Sequence, residues 1–441
     1  MINLQNFAAS MRGAAIFASR NLRACVVAGT GGAALAAQQY FGRTASECIG
    51  LGQSQVRQPT GQVFPPIVGR DIKWGIIGPG GISNDFAIAM STIPGAKLVA
   101  VGSRDLGRAE AFRQAFCADR AYGSYEALVN DPEIDVVYIG SPHTSHKEHA
   151  LMALRAGKHV VCEKPVTLNE ADARELHETA KQCNRFFLHG VWSRFFPSYS
   201  ELKTTIREGA LGEVRSVNVA FGFNNDEGQA PRLQLPELGG GALLDIGIYV
   251  IQLGSLCFGE QPPTSVHASG SKNQHGVDKT VGLVVTYPVG DDPKGGVLSA
   301  VISIGCELPN EANINGTKGA IKLHAPFWSP TSMSVTTDLH KRLYPPPPRV
   351  REGNSPWPSS PGRDGLDNKV HSLSPLPEVP SGMQLNFSNS MGFVYEIAAV
   401  MHALRNGQAE CAECSSEESL RIMATLDECR KQLGVVYPHE K

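Results

Sequence analysis

The feature that most constrains the fold is an apolar segment that runs directly into a glycine-rich turn. Trp74–Ile77 is followed by Gly78-Pro79-Gly80-Gly81-Ile82-Ser83 and then by apolar residues at helical spacing. In a strand–turn–helix unit, glycines let the backbone approach a pyrophosphate that sits at the helix N-terminus. The same letters alone would be a weak signal, because a simple glycine turn also produces them. In this setting they predict dinucleotide binding by Gly78, Gly80, Gly81 and Ile82.

Short apolar runs alternate with helical stretches over the following residues. The runs are Lys73–Gly78, Lys97–Gly102, Val136–Gly140 and His159–Glu163. Such alternation is typical of β-α units around a buried parallel sheet. It predicts an α/β Rossmann domain, with a doubly wound parallel sheet, over residues 71–190.

After Leu211 the apolar period changes to two. Every second residue from Val217 to Phe223 is apolar and large, and the pattern returns from Val281 to Tyr287. This period is typical of half-buried antiparallel strands. We therefore expect an α+β domain with an open, mainly antiparallel sheet over residues 191–441. Within it, a proline-rich insertion at about 344–382 removes too many backbone donors for regular structure.

The first seventy residues differ in composition from the rest. They contain six arginines, no lysine and a single acid, Glu47, which is the bias of an organelle transit segment. If residues 1–70 are such a leader, the protein belongs in the mitochondrion or plastid. If they are only a disordered extension, it is cytoplasmic. The apolar run Ala24–Ala37 is shorter than the ~20 residues that cross a bilayer, so we expect no stable membrane span.

Charge and cysteine use favour a small-molecule partner. The 40 basic and 42 acidic residues give a net charge of −2, which favours neither nucleic acid nor an anionic membrane surface. The ten cysteines are scattered, and the pair Cys411 and Cys414 has no second pair to complete a zinc site. We expect a small-molecule substrate and reduced thiols.

The tip of the second predicted strand indicates which cofactor binds. An NAD enzyme usually offers a carboxylate there to the ribose 2′-hydroxyl, but this chain offers Ser103 and Arg104. A hydroxyl and a guanidinium suit a 2′-phosphate, which predicts NADP. Asp105 lies one place later and is better explained as the cap of the next helix. The alternative is that Arg104 is a solvated surface residue.

Two segments carry residues that can do chemistry. Lys164 follows the strand His159–Glu163 at its carboxyl end, where open α/β sheets bind ligands, and could stabilise negative charge on a substrate oxygen. Asp245 and Tyr249, in Gly239–Tyr249, are four residues apart and would share one face of a helix. A tyrosine near a lysine can exchange a proton with substrate. The alternatives are an ion pair of Lys164 with Glu163 and a tyrosine that only packs.

Histidines cluster after the third strand. His143, His146 and His149 lie within seven residues, but no carboxylate or cysteine completes a metal site, so we expect no metal. We interpret His143 and His146 as polar lining of the cofactor cleft.

Taken together, four segments resemble the Gfo/Idh/MocA oxidoreductase family. They are Lys73–Ser83, Ser103–Leu106, Glu163–Pro165 and Gly239–Tyr249. The resemblance implies a Rossmann domain, a C-terminal open antiparallel sheet and a homodimer built through that sheet. It further implies that Lys164 and Tyr249 are catalytic, with Tyr249 where many relatives have histidine.

The resemblance also implies roles for residues outside these segments. Trp192 and Phe221 would line the substrate pocket, while Tyr138, His146 and Glu163 would serve the coenzyme. The implied reaction moves a hydride between NADP and a hydroxyl of a D-xylose-like sugar or a trans-dihydrodiol, with Asp245 orienting substrate or Tyr249. The leader and the proline-rich insertion depart from the family pattern.

Two alternative functions remain open. Another sugar oxidoreductase of this family, of the glucose-fructose type, would share the motifs and differ in pocket lining. A non-catalytic NADP-binding sensor or scaffold would keep the fold without turnover. Intact Lys164 and Tyr249 argue against the second.

The cofactor prediction is tested with Arg104→Ala. A charge-assisted contact to phosphate contributes ~1.5 to 3 kcal/mol, so the variant should bind NADP roughly 10- to 100-fold more weakly. NAD has no 2′-phosphate, so its affinity should barely change and serves as the internal control. Titration of both cofactors measures this, and an equal loss for both would contradict the assignment.

Overall fold

Two β-sheets, formed one after the other along the chain, organise the protein. The structure is a computed structural model that describes residues 63–225, 230–259, 261–337, 369–372 and 376–440. Nearly all of the predicted leader, including Ala24–Ala37, lies outside the described residues, as does most of the proline-rich insertion.

The first sheet is parallel and has the strand order β3-β2-β1-β4-β5-β6. Its strands are β1 Ile72–Ile77, β2 Ala96–Gly102, β3 Arg120–Tyr122, β4 Val136–Ile139, β5 His159–Glu163 and β6 Phe187–Gly190. The helices between them are α1 Gly81–Ser91, α2 Leu106–Phe116, α3 Tyr125–Val129, α4 His146–Arg155 and α5 Glu170–Gln182. β4 and β5 are buried throughout, as strands covered on both faces must be. The predicted doubly wound Rossmann fold is confirmed, and the strand order reverses between β1 and β4.

The second sheet has the order β14-β13-β12-β11-β7-β10-β9-β8. Its strands are β7 Val214–Gly222, β8 Ser265–Lys272, β9 Asp278–Val289, β10 Asp292–Ser303, β11 Glu311–Gly316, β12 Ala320–Leu323, β13 Ser332–Thr336 and β14 Lys369–Ser372. The accompanying helices are α6 Pro197–Arg207, α7 Ile248–Phe258, α8 Phe393–Asn406 and α9 Ser416–Leu433. β7 and β10 pair in parallel and the other described pairs are antiparallel, which confirms the predicted open, mainly antiparallel sheet.

One face of the second sheet is covered and the other is open. Helix α7 packs against β7, β9 and β10, while Val284 and Val301 are 43% and 45% exposed on those strands' outer face. The stretch Pro236–Phe258, which ends with α7, is apolar and long enough to cross a membrane, but 89% of its apolar window is buried inside the protein. It is the core helix of this domain.

Among the described residues of the proline-rich insertion, four form a strand, which corrects the expectation that 344–382 holds no regular structure. β14 pairs with β13 in antiparallel register, from Ser332 opposite Ser372 to Val335 opposite Lys369. These four residues lie in a stretch without proline, so their backbone N–H groups are free to enter a ladder.

The last two helices, α8 and α9, pack on the first domain. Helix α8 packs on α1, and α9 packs on α5 as well as on β8 and α7. The backbone N–H groups of Val63 and Ile67 donate to carbonyls of Gly407 and Leu404, at 2.8 and 3.1 Å, and Phe64 and Ile67 are buried. Val63, Phe64 and Ile67 therefore belong to the packed part of the chain, although the expected leader extended to residue 70.

Candidate active site

The cofactor loop joins β1 to α1 at the point where the strand order reverses. Gly78 has a φ of +85°, and a Cβ on it would lie 2.9 Å from the backbone of Ser141, so this position requires glycine. The Ser83 hydroxyl donates to the Gly78 carbonyl at 2.6 Å. It fits because Gly140, facing it, has no side chain: a Cβ there would be 2.1 Å from Ser83 Oγ.

The N-terminus of α1 suits a pyrophosphate. Its capping residue, Gly80, offers no side chain to the helix, and the first turn carries no acid. A Cβ on Gly80 would meet only the Gly140 carbonyl oxygen, at 3.9 Å, so a ligand can approach the backbone closely. Ile82 lies in the first helical turn beside Gly81. The residues present thus fit the phosphates of a dinucleotide.

The tip of β2 carries an exposed cation and a hydroxyl, which are compatible with a 2′-phosphate. Arg104 is exposed at this tip, after the buried Ser103. Asp105 caps α2 by accepting the N–H of Gly107 at 2.8 Å, so its carboxylate is engaged by the helix. Arg108, which sequence reasoning missed, extends from α2 to the Pro79 carbonyl at 3.4 Å and adds a second cation beside the loop.

Lys164 lies at the end of β5 and connects the two domains. Its Nζ donates to the backbone carbonyl of Asp245 at 2.8 Å and lies 3.5 Å from Asp245 Oδ1. Burial acts to lower the pKa of Lys164, but Asp245, Tyr249 and Glu163 together outweigh it, and the pKa is raised. The side chain is therefore an ammonium at neutral pH.

Asp245 is shared by two cations. It lies in the π-helical turn Leu243–Gly247 that precedes α7, and its Oδ1 accepts from Arg232 Nη1 at 2.9 Å. Burial acts to raise the pKa of Asp245, but Lys164 and Arg232 hold it well below the usual range. Arg232 comes from an isolated turn, so no sequence pattern indicated that it reaches this site.

The ring of Tyr249 lies beside the Lys164 ammonium. Lys164 Nζ lies 4.9 Å from the centre of the Tyr249 ring, and Trp192 Nε1 donates to the Tyr249 hydroxyl at 2.9 Å. Burial raises the pKa of Tyr249, although Lys164 acts to lower it. The phenol is neutral at neutral pH. The structure thus brings Lys164, Asp245 and Tyr249 together.

Aromatic rings form one wall of the site. Phe221 stacks on Trp328 with ring centres 4.1 Å apart, and Tyr249 lies 6.0 Å from Phe221 and 6.5 Å from Trp328. The indole of Trp192 borders the wall through its bond to Tyr249. Sequence reasoning missed Trp328, because it lies in a loop after β12 and only the tertiary fold places it beside Phe221.

Glu163 and Tyr138 lie beneath the strand ends. The Tyr138 hydroxyl donates to Glu163 Oε1 at 2.8 Å, and its ring stacks on Phe86 at 3.7 Å. Burial raises the pKa of Glu163 to about 7, against the Tyr138 bond and the Lys164 charge. Tyr138 has no exposed surface, so any effect it has on the cofactor passes through residues that it contacts, such as Glu163, Phe86 and Gly140.

His143 and His146 bind backbone carbonyls. His143 Nε2 lies 2.8 Å from the Gly239 carbonyl, and the ring nitrogens of His146 lie 2.8 Å from the carbonyls of Pro165 and Ser141. Burial lowers the pKa of His143 to about 4 and that of His146 to about 3, so both rings are neutral, and His146, which then has one N–H, donates to only one of its two carbonyls. His143 contacts the glycine turn that begins at Gly239, and His146 contacts the segment that follows Lys164. Within the described ranges, no group of three or more His, Cys, Asp or Glu residues could bind a metal ion.

Two family models match successive parts of the chain. The oxidoreductase family with an NAD-binding Rossmann fold matches residues 72–190, and the Gfo/Idh/MocA C-terminal domain matches residues 199–322. The chain belongs to the Gfo/Idh/MocA oxidoreductase family, whose nicotinamide-binding Rossmann domain it contains.

Several relatives share one name. The trans-1,2-dihydrobenzene-1,2-diol dehydrogenase of Xenopus laevis is 38% identical over 368 residues, which cover 83% of this chain and 99% of the relative. The protein of that name from Homo sapiens is 36% identical over 372 residues, covering 84% and 99%.

Solved structures share the fold. Levoglucosan dehydrogenase in complex with NADH and levoglucosan superposes with a TM-score of 0.67 at 20% identity, covering 83% of this chain and 98% of the other. KijD10, a 3-ketoreductase from Actinomadura kijaniata in complex with NADP and TDP-benzene, has a TM-score of 0.64 at 23% identity, covering 82% and 98%.

Proposed function

We propose that this protein transfers a hydride between NADP and a hydroxyl-bearing carbon of a trans-dihydrodiol or a D-xylose-like sugar. The observation that carries this proposal is the meeting of Lys164 and Tyr249 beside an aromatic wall. A flat wall of Phe221 and Trp328 suits a dihydrodiol ring, and it also suits the C–H face of a sugar. The names of the relatives support the diol, and Ser103 with Arg104 supports NADP.

The residues of this chain handle the substrate oxygen and its proton. When bound, a nicotinamide supplies the acceptor or donor of the hydride. In oxidation, Tyr249 takes the hydroxyl proton while the Lys164 ammonium stabilises the negative charge that develops on the oxygen. In reduction, the neutral phenol of Tyr249 returns the proton. The Trp192 N–H, 2.9 Å from the Tyr249 hydroxyl, orients that oxygen and stabilises its charged form.

The raised pKa of Tyr249 sets a direction-dependent pH profile. Oxidation needs the deprotonated phenol, so its rate should increase with pH across the neutral and alkaline range. Reduction uses the protonated phenol, which is fully populated below that pKa, so its rate should stay level over the same range.

Tyr249→Phe tests this assignment. The variant keeps the ring over Lys164 and removes only the hydroxyl, so turnover of D-xylose or a trans-dihydrodiol with NADP should fall roughly 10²- to 10⁴-fold. The pH dependence of oxidation should disappear with it. Cofactor affinity and the thermal midpoint should change little.

Tyr287→Phe is the matched control. Tyr287 is also buried, but it packs on Phe258 under the second sheet, away from Lys164. This variant should keep wild-type turnover. Wild-type turnover in Tyr249→Phe would contradict the proposed mechanism, and wild-type protein inactive on both substrate types would contradict the proposed substrates.

We also propose a homodimer through the open face of the second sheet. Val284 and Val301 lie exposed on adjacent strands there, amid Asn218, Ser299 and Asn313. Val301→Asp places a charge on that face and should convert a dimer to a monomer by light scattering. Val68→Asp, at a more exposed valine elsewhere, should stay dimeric. A Val301→Asp dimer would contradict this interface.

A further inference from the structure

Arg232 is the charged residue of the site that faces outward. It lies on the short 3₁₀ turn Pro231–Leu233, between β7 and the glycine turn that precedes Asp245. Its side chain is 47% exposed, whereas those of Asp245 and Lys164 are 10% and 16% exposed. The guanidinium is therefore the solvent-accessible member of this group of three charges.

The side chain of Arg232 has more hydrogen-bond donors than its contact with Asp245 uses. A guanidinium carries five N–H donors. Among the described residues, the Asp245 carboxylate is the acceptor of its one side-chain hydrogen bond, through Nη1. That bond fixes the guanidinium in place and leaves the other donors for a ligand.

Arg232 and Lys164 form one pair of neighbouring donors. Both approach the same oxygen, Asp245 Oδ1, at 2.9 and 3.5 Å. Two cations against one carboxylate leave a positive excess beside the aromatic wall. Donors held this close can bind two oxygens on adjacent carbons. We take the ligand to be a diol because the proposed reaction acts on a hydroxyl-bearing carbon, and the stacked rings of Phe221 and Trp328 suit the face of its ring.

We propose that Arg232 is a substrate-binding residue that takes the hydroxyl on the carbon next to the reacting one, and thereby selects vicinal diols over substrates that lack this hydroxyl. The inference rests on the proposed function, in which Lys164 and Tyr249 bind the reacting oxygen. Asp245 then has two tasks: it holds the Lys164 ammonium on one side and the Arg232 guanidinium on the other.

The test compares D-xylose with 2-deoxy-D-xylose, which lacks only the neighbouring hydroxyl. Wild-type enzyme with NADP should prefer D-xylose. In Arg232→Met, the KM for D-xylose should rise roughly 10- to 100-fold, the usual value of a hydrogen bond to a charged group. Its KM for 2-deoxy-D-xylose should stay within about 3-fold, so the preference collapses. Quenching of tryptophan fluorescence measures binding without a reaction, and it should show a Kd for D-xylose that rises by the same factor.

Two further variants separate binding from folding. Arg232→Lys keeps a cation for Asp245 but lacks the planar fork, so it should still lose the preference. If Arg232→Met does not fold, Arg232→Lys is the variant that tests the proposal. Arg155→Met, at an exposed arginine on α4, should behave as wild type.

The outcomes distinguish this inference from the proposed function. If wild-type protein turns over neither sugar and no trans-dihydrodiol, both the proposed function and the role of Arg232 are overturned. Normal wild-type turnover, with an equal loss for both sugars in the Arg232 variants, overturns only the role of Arg232 and reduces it to support for Asp245.

Discussion

The interaction on which the rest of the site depends is the contact of the Lys164 ammonium with Asp245. The lysine ends a strand of the first sheet, and the aspartate begins the core helix of the second domain, so the 2.8 Å bond to the Asp245 carbonyl joins the domains at the substrate position. Removing two charges from water is costly unless they are paired. Here both stay charged because each is the other's main partner, with Arg232 as a third member. The surrounding backbone is held by neutral histidines, which add no competing charge.

This charge arrangement divides the chemistry between two residues. Asp245 keeps Lys164 protonated, so the lysine can stabilise a substrate oxygen but is a poor base. Tyr249 is neutral because its burial outweighs the nearby ammonium, so it holds a proton at neutral pH. In the proposed mechanism, Lys164 stabilises the charge on the substrate oxygen without moving its own proton, and Tyr249 exchanges the proton of that oxygen.

How much of this could be predicted from the sequence depended on whether a signal was local. The strand–glycine–helix order from Trp74 to Ser83 and the change to period two after Leu211 predicted both sheets, because backbone conformation and burial repeat along the chain. The spacing of Asp245 and Tyr249, and the strand-end position of Lys164, indicated residues that the structure does bring together. Their catalytic roles remain predictions.

Other parts depended on contacts that no local pattern encodes. Arg232 and Trp328 lie in irregular loops and reach the site only through the fold of the second domain. The sequence did not indicate β14, because the many prolines elsewhere in 344–382 predicted irregular structure for the whole insertion. Phe64 and Ile67 were assigned to the leader because their contacts are distant in sequence: Phe64 packs on His159, and Ile67 bonds to Leu404 in α8. Tyr138 and His146 lie near the cofactor edge, as the resemblance implied, but as buried supports of Glu163 and Pro165.

The central claim is that Lys164 and Tyr249 act on one oxygen in one transition state. The most direct measurement is the single-turnover rate of hydride transfer, followed by nicotinamide absorbance, in wild-type enzyme, Lys164→Met, Tyr249→Phe and the double variant. Groups that act as a unit lose most of their effect with the first deletion. The account therefore predicts that the double variant is within about 10-fold of the slower single variant. Rate losses that multiply in the double variant would contradict it, because they would mean that the two residues act independently.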